Sequence, residues 1–143
     1  VLFAETEAHV VAAVQAAAAF GVPCIARGGA TSLAASAVPP SRSLVVDTNR
    51  MRKIRSFDVD RRSAWVDPGV VTATFRSYAA RHGLLYAPDP SSEAAATIGG
   101  NVATNAGGPY GFKYGVTRDA VIGLRVVTPQ HGAVEQELSH IHI

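Results

Sequence analysis

Between Pro88 and Gly115 the chain reads Pro88-Asp89-Pro90-Ser91-Ser92, then Thr97-Ile98-Gly99-Gly100-Asn101-Val102-Ala103-Thr104-Asn105-Ala106-Gly107-Gly108-Pro109, then Lys113-Tyr114-Gly115-Val116-Thr117. Two Gly-Gly pairs separated by small and amide residues bury little side chain, but they let bare backbone N–H groups come close to another molecule. Asn101 and Asn105 each add two donors and an acceptor, and Ser91, Ser92, Thr97 and Thr104 add hydroxyls. This is the chemistry of a ligand cradle rather than of a core. A second such stretch, Arg27-Gly28-Gly29-Ala30-Thr31-Ser32, suits an anion held by amides instead of by several lysines. No GxGxxG opens a helix there, which argues against a Rossmann domain.

The other reactive side chains point to no site. His9 and His82 fall on expected helices, His131 in a turn, and His140 and His142 alternate at the C-terminus; no third ligand has metal-site spacing. Cys24, between Pro23 and Ile25, is expected to be a buried small hydrophobe. Trp65 is expected to pack a hairpin, and Tyr110 and Tyr114 to border the cradle.

The elements that must position these stretches follow from periodicity. Thr6 to Phe20 reads as a helix with Val10, Val14 and Ala17 or Ala18 on one face, Gly21 closing it and Pro23 preventing its continuation. Pro23 to Ala26 and Leu44 to Asp47 read as short buried strands. Lys53 to Asp58 and Ser63 to Asp67 alternate around a turn at Asp58 to Arg62, which predicts an antiparallel hairpin. Thr72 to His82 is a second amphipathic helix carrying Phe75, Tyr78 and Ala79 inward, and a short helix is expected to begin near Asn101. Val121 to Val127 and Ala133 to Leu138 read as strands around a Pro129 to Gly132 turn. Parallel and antiparallel pairing together make the fold α+β.

Composition bounds the rest. A chain of 143 residues has the size of one domain and can bury a core. Its hydrophobic share is 48%, yet no apolar run is long enough for a membrane span, and no signal peptide is visible near Glu5, Thr6, Glu7 and His9. One cysteine excludes an internal disulfide and fits a reducing compartment, so the expectation is a cytoplasmic protein, with a membrane-peripheral one as alternative. A net charge of +2 is too small to argue for nucleic acid; the arginines from Arg50 to Arg62 are expected on an exposed hairpin.

The run from Tyr86 through Asn101 to Pro109 resembles the flavin-binding (PCMH-type) domain of the vanillyl-alcohol oxidase superfamily, above all its glycolate oxidase, D-lactate dehydrogenase and D-2-hydroxyglutarate dehydrogenase members. The resemblance implies two small α/β subdomains, 1–50 and 51–143, with FAD between them and the domain truncated at both ends. It implies that Arg27, Gly28, Gly29, Ala30, Thr31, Ser32 and Ser36 form the pyrophosphate loop. It places the isoalloxazine ring against Pro90, Ser91, Ser92, Thr97, Ile98, Gly99, Gly100, Asn101, Ala103, Asn105 and Gly107. Ala30 and Ala34-Ala35-Ser36 depart from the family's glycine-rich pattern, and a positive φ at Ala35 or Ser36 would weaken FAD binding through strain. Thr31 stands where some members carry a flavin-linked histidine, so the FAD is expected to be non-covalent. Further implications are a small 2-hydroxy-acid substrate, an iron–sulfur or other electron-acceptor subunit as partner, and a catalytic base and any metal site in a cap domain outside these residues. The alternative is a shortened, non-catalytic or relic flavin module.

Overall fold

Parallel pairing of three short strands organises the N-terminal part of the computed structural model, which describes residues 1–137. β1 (Leu2–Phe3) and β2 (Cys24–Arg27) flank β3 (Leu44–Asp47), with Leu2 opposite Val46 and Cys24 to Arg27 opposite Leu44 to Asp47. Parallel strands need a crossover, and α1 (Glu7–Ala19) supplies it. Thr6 caps α1 by accepting the His9 amide at 3.3 Å, and Gly21 ends it in the left-handed region at φ 62°. The alanines of α1 are small enough for the helix to lie close on the sheet. Ala13 and Ala17 are buried, Val10 and Val14 half-buried, and Ala18 is exposed. Ala4, Ala13, Val46 and Met51 form one core cluster, packed by Leu2, Val10 and Leu44.

A second cluster forms where a hairpin meets a helix. β4 (Ile54–Asp58) and β5 (Ser63–Val66) pair antiparallel, with a bulge between Ile54 and Ser56. The Asp58 carboxylate accepts the Arg61 amide at 2.9 Å and shapes the turn. Val70, Phe75 of α2 (Thr72–Arg81) and Ile98 make the core here, with Phe57, Val66 and Tyr86 packed on it. Phe75 and Tyr86 meet edge to face with centroids 5.0 Å apart.

Three short helices follow: α3 (Ile98–Thr104), α4 (Gly111–Tyr114) and α5 (Thr117–Ala120). The hairpin of β6 (Gly123–Thr128) and β7 (Gly132–Glu137) then returns to the first helix, where Arg125 pairs with Glu7 at 3.0 Å. Among the described residues no helix is long and apolar enough to cross a membrane.

Several expectations change in the fold. β2 is an edge of its sheet and no residue in it is buried: Cys24 and Ala26 are exposed while Ile25 and Arg27 are half-buried. Cys24 is therefore an exposed residue rather than a core one; partial burial still pushes its thiol pKa up. Trp65 points to the outer side of its hairpin and is 36% exposed. The helix expected near Asn101 starts at Ile98, because Thr97 is its cap. His140, His142 and Leu138 lie outside the described residues.

Burial separates two phenylalanines cleanly. Phe75→Ala should cost about 3–5 kcal/mol, whereas Phe112→Ala, at a fully exposed position, should stay within about 0.5 kcal/mol. Urea unfolding followed by circular dichroism measures both.

Candidate functional site

β2 delivers the chain into the 27–36 loop at the C-terminal end of the parallel sheet, the end at which open α/β sheets hold ligands. The Arg27 carbonyl accepts the Thr48 amide at 2.9 Å and the Thr48 hydroxyl at 3.2 Å. The Gly28 carbonyl accepts Asn49 Nδ2 at 2.9 Å. Beyond these two anchored oxygens, the amides of residues 28 to 32 find no acceptor among the described residues. Buried backbone donors are nearly always paired, so this half-exposed run is open to an external acceptor. Ser32 Oγ accepts the Ala34 amide at 3.3 Å and shapes the turn that follows.

Ala30 and Ala35 both sit at φ 54°, a region that costs an L-residue roughly 1–2 kcal/mol. Ser36 does not, and its side chain is exposed. An αL residue is one half of the backbone pattern that makes an anion-binding concavity, and position 30 supplies it.

Gly28 and Gly29 serve a second purpose. A Cβ on Gly28 would overlap the Thr97 hydroxyl, and one on Gly29 would overlap the Ala95 carbonyl. Only glycine lets the first loop lie against the 95–97 backbone, so the two glycine-rich stretches, far apart in sequence, become one surface.

The second stretch is stitched down by backbone bonds. The Pro90 carbonyl accepts the Glu93 amide at 2.8 Å, and the Ser92 carbonyl accepts Ala95 and Ala96 at 2.8 and 2.7 Å. Thr72 donates to Ala96, Ile98 to Val70 and Gly99 to Pro68, at 2.9, 2.8 and 2.8 Å. Pro90 is buried, Ser91 exposed and Ser92 half-buried. Thr97 Oγ1 accepts the Gly100 amide at 3.3 Å. The amide of Gly99 is thus already used within the protein. Gly99 and Gly100 have ordinary helical backbone, and a Cβ on Gly100 would meet only Thr97 Oγ1, at 3.2 Å.

Asn101 turns inward. It is 2% exposed, and its Nδ2 donates to Thr72 Oγ1 at 2.8 Å, which donates on to the Ala96 carbonyl at 3.1 Å. Burial pushes the Tyr86 phenol above its ordinary pKa, opposed in part by side-chain hydrogen bonds with Asn101 and Thr117. Asn105 caps the other end of α3 at φ 49°, and its Oδ1 accepts the Arg118 amide at 3.0 Å. Ala103 is exposed, and a Cβ on Gly107 would press on Val116. Tyr110 and Tyr114 stack edge to face at 6.3 Å, with Arg76 over the Tyr110 ring.

Sequence reasoning overlooked Asp47, Thr48, Asn49, Tyr86 as a hydrogen-bonding group, and Thr117. Asp47-Thr48-Asn49 carried a local signal: an Asx-type bond from the Asn49 amide to Asp47 Oδ1, at 2.9 Å.

With this geometry in place, comparison with known proteins decides the family. The sequence model of FAD binding domains matches residues 1–136. The chain belongs to the FAD binding domain family. It is 45% identical over 106 residues to the glycolate oxidase subunit GlcD of Bacillus subtilis, covering 74% of this chain and 23% of that protein. It is 38% identical over 135 residues to D-2-hydroxyglutarate dehydrogenase of Stutzerimonas stutzeri, covering 94% and 29%. Among solved structures, an alkyldihydroxyacetonephosphate synthase superposes with a TM-score of 0.84 at 27% identity, covering 94% of this chain and 28% of that one. 6-Hydroxy-D-nicotine oxidase of Arthrobacter nicotinovorans shares the fold, at a TM-score of 0.80 and 21% identity. The chain therefore spans under a third of the length of these relatives.

FAD fits the residues present. Its diphosphate needs N–H donors without internal partners, which the amides of residues 28 to 32 provide, and its ring needs a surface free of side chains, as at Gly100.

The Tyr86 network makes an alkaline prediction. A phenol whose folded pKa lies above its unfolded value of about 10 contributes stability below that value and loses it as pH rises through the folded pKa. Tyr86→Phe should flatten the decline in melting temperature above about pH 10, while lowering stability at neutral pH by about 0.5–1.5 kcal/mol through lost hydrogen bonding.

Proposed function

We propose that this chain is the FAD-holding part of a flavin-dependent oxidoreductase that oxidises a small 2-hydroxy acid, of the glycolate or D-lactate kind, to its 2-oxo acid. The observation that carries the reading is the run of unpartnered amides at residues 28 to 32, backed directly onto the Thr97–Gly100 turn. Similarity to proteins named glycolate oxidase subunit, D-2-hydroxyglutarate dehydrogenase and D-lactate dehydrogenase supports the substrate class.

When bound, FAD supplies a two-electron acceptor for the substrate's α-carbon hydrogen. The chain's own residues bind and orient it. The amides from Gly28 to Ser32 receive the diphosphate without a lysine, so the negative charge is met by dipoles already fixed in place. Ser91, Ser92 and the backbone at Gly100 border the ring. Thr97 touches both parts, as cap of α3 and as the wall behind Gly28, so a shift in one loop is felt in the other. Asn101, in the middle of α3, and Asn105, at its C-terminal cap, fix that helix through Thr72 and the Arg118 amide. Attachment is non-covalent, with Thr31 in the loop. Among the described residues none is assigned as the base for the substrate hydroxyl; such a base must reach that proton in the bound pose.

Residues 1–50 carry the diphosphate loop and residues 51–143 the ring wall in this reading. The electron acceptor is an iron–sulfur or other subunit, GlcD itself being named as one subunit of its oxidase. A specific observation favours a second reading, a weakly binding, non-catalytic module: Ala30 and Ala35 hold backbone conformations that glycine adopts without strain.

Gly100→Val tests the reading. Its Cβ meets only one hydroxyl, so the apoprotein should melt within a few degrees of wild type. The β-branched side chain occupies ring volume, and FAD affinity should fall at least a hundredfold, about 2.7 kcal/mol. The wild-type protein should be yellow and release intact FAD on acid precipitation. A yellow Gly100→Val protein with full flavin content would contradict the ring placement, and a colourless wild type would favour the second reading.

A further inference from the structure

We infer that Asn49 is a positioning residue that aims the Gly29 N–H group at the diphosphate of the cofactor; the inference rests on the FAD reading of the 27–36 loop. Every peptide bond in the described chain is trans, and in a trans peptide the N–H points opposite to the preceding carbonyl. Fixing a carbonyl therefore fixes the direction of the next amide. The Arg27 oxygen is held by Thr48, through its amide at 2.9 Å and its hydroxyl at 3.2 Å, which turns the Gly28 N–H away from β3. The Gly28 oxygen is held by Asn49 Nδ2 at 2.9 Å, which turns the Gly29 N–H away from Asn49.

The need for such a device comes from the glycines themselves. Residues without Cβ visit both signs of φ at similar cost, so two in succession rotate their shared peptide plane easily. A rotated plane would present a carbonyl oxygen, the negative end of the dipole, to the diphosphate. Gly28 and Gly29 cannot be exchanged for stiffer residues, because Thr97 and the Ala95 carbonyl occupy the space a Cβ would need. The restraint has to come from outside the loop, and Asn49 is where it comes from.

Asp47 fixes Asn49 in turn. It is 7% exposed, and its Oδ1 accepts both the Asn49 amide and Asn49 Nδ2, each at 2.9 Å. Both partners of the Asn49 side-chain nitrogen are acceptors, so the reversed amide would set oxygen against two oxygens; only one orientation of the side chain is satisfied. The chain of control runs from β3, through Asp47 and Asn49, to the amide of Gly29.

The experiment compares FAD with riboflavin, which carries the same ring without a diphosphate, by quenching of flavin fluorescence on titration with purified protein. Wild type should prefer FAD. Asn49→Ala, which deletes the donor, and Asn49→Asp, which keeps the shape but sets a carboxylate against the Gly28 oxygen, should each reduce the FAD-to-riboflavin affinity ratio at least tenfold. Riboflavin affinity should stay within about twofold in both variants, since the lost interaction is worth only its own free energy at one end of the ligand. An unchanged ratio in both variants, an equal loss of both flavins, or failure of the variants to fold would each overturn the positioning role and leave the FAD reading standing. A wild-type protein that binds the two flavins equally would instead overturn the reading of the loop as a diphosphate site.

Discussion

The contact on which the rest of this structure depends is the approach of the Gly28–Gly29 backbone to Ala95 and Thr97. No side chain of any size fits between them. The first loop hangs from a parallel sheet, and the second is anchored by bridges from Pro68 to Thr72. Each is held by hydrogen bonds of its own, and the glycine contact makes their relative position a property of backbone rather than of side-chain rotamers. In the proposed FAD site this contact sets the distance between the diphosphate loop and the ring wall.

That geometry has a cost, met by packing elsewhere. Ala30 and Ala35 together hold strain of a few kcal/mol at most, against buried clusters around Val46 and Met51 and around Val70, Phe75 and Ile98. The buried polar network of Tyr86, Asn101, Thr72 and Thr117 joins the cradle to the second cluster and leaves no buried side-chain polar atom unpartnered among the described residues. Satisfied networks of this kind rigidify what they connect.

Much of this was legible in the residues. The helix after Thr6, the hairpin around Asp58 to Arg62 and the two glycine-rich stretches rest on local rules of capping, alternation and backbone freedom, and the structure has them close to where those rules put them. Side-chain direction was less legible. Asn101 reads as a flavin-facing amide in sequence, yet α3 starts at Ile98 and so turns position 101 into the core, toward Thr72. Cys24 reads as buried from its apolar neighbours, but strand order makes β2 an edge. The role of Gly28 in meeting Thr97 is a contact between distant segments, which no local pattern encodes. Asn49 lay in plain view as the third residue of an Asp-x-Asn turn, and only the position of the Gly28 carbonyl gives it a purpose.

Amide-resolved NMR of the labelled protein during FAD titration tests the central claim most directly. If the two stretches form one cradle, the resonances of Gly28, Gly29, Ala30, Thr31 and Ser32 shift together with that of Gly100 and with a common saturation curve. Shifts confined to one stretch, or two curves with different midpoints, would contradict it.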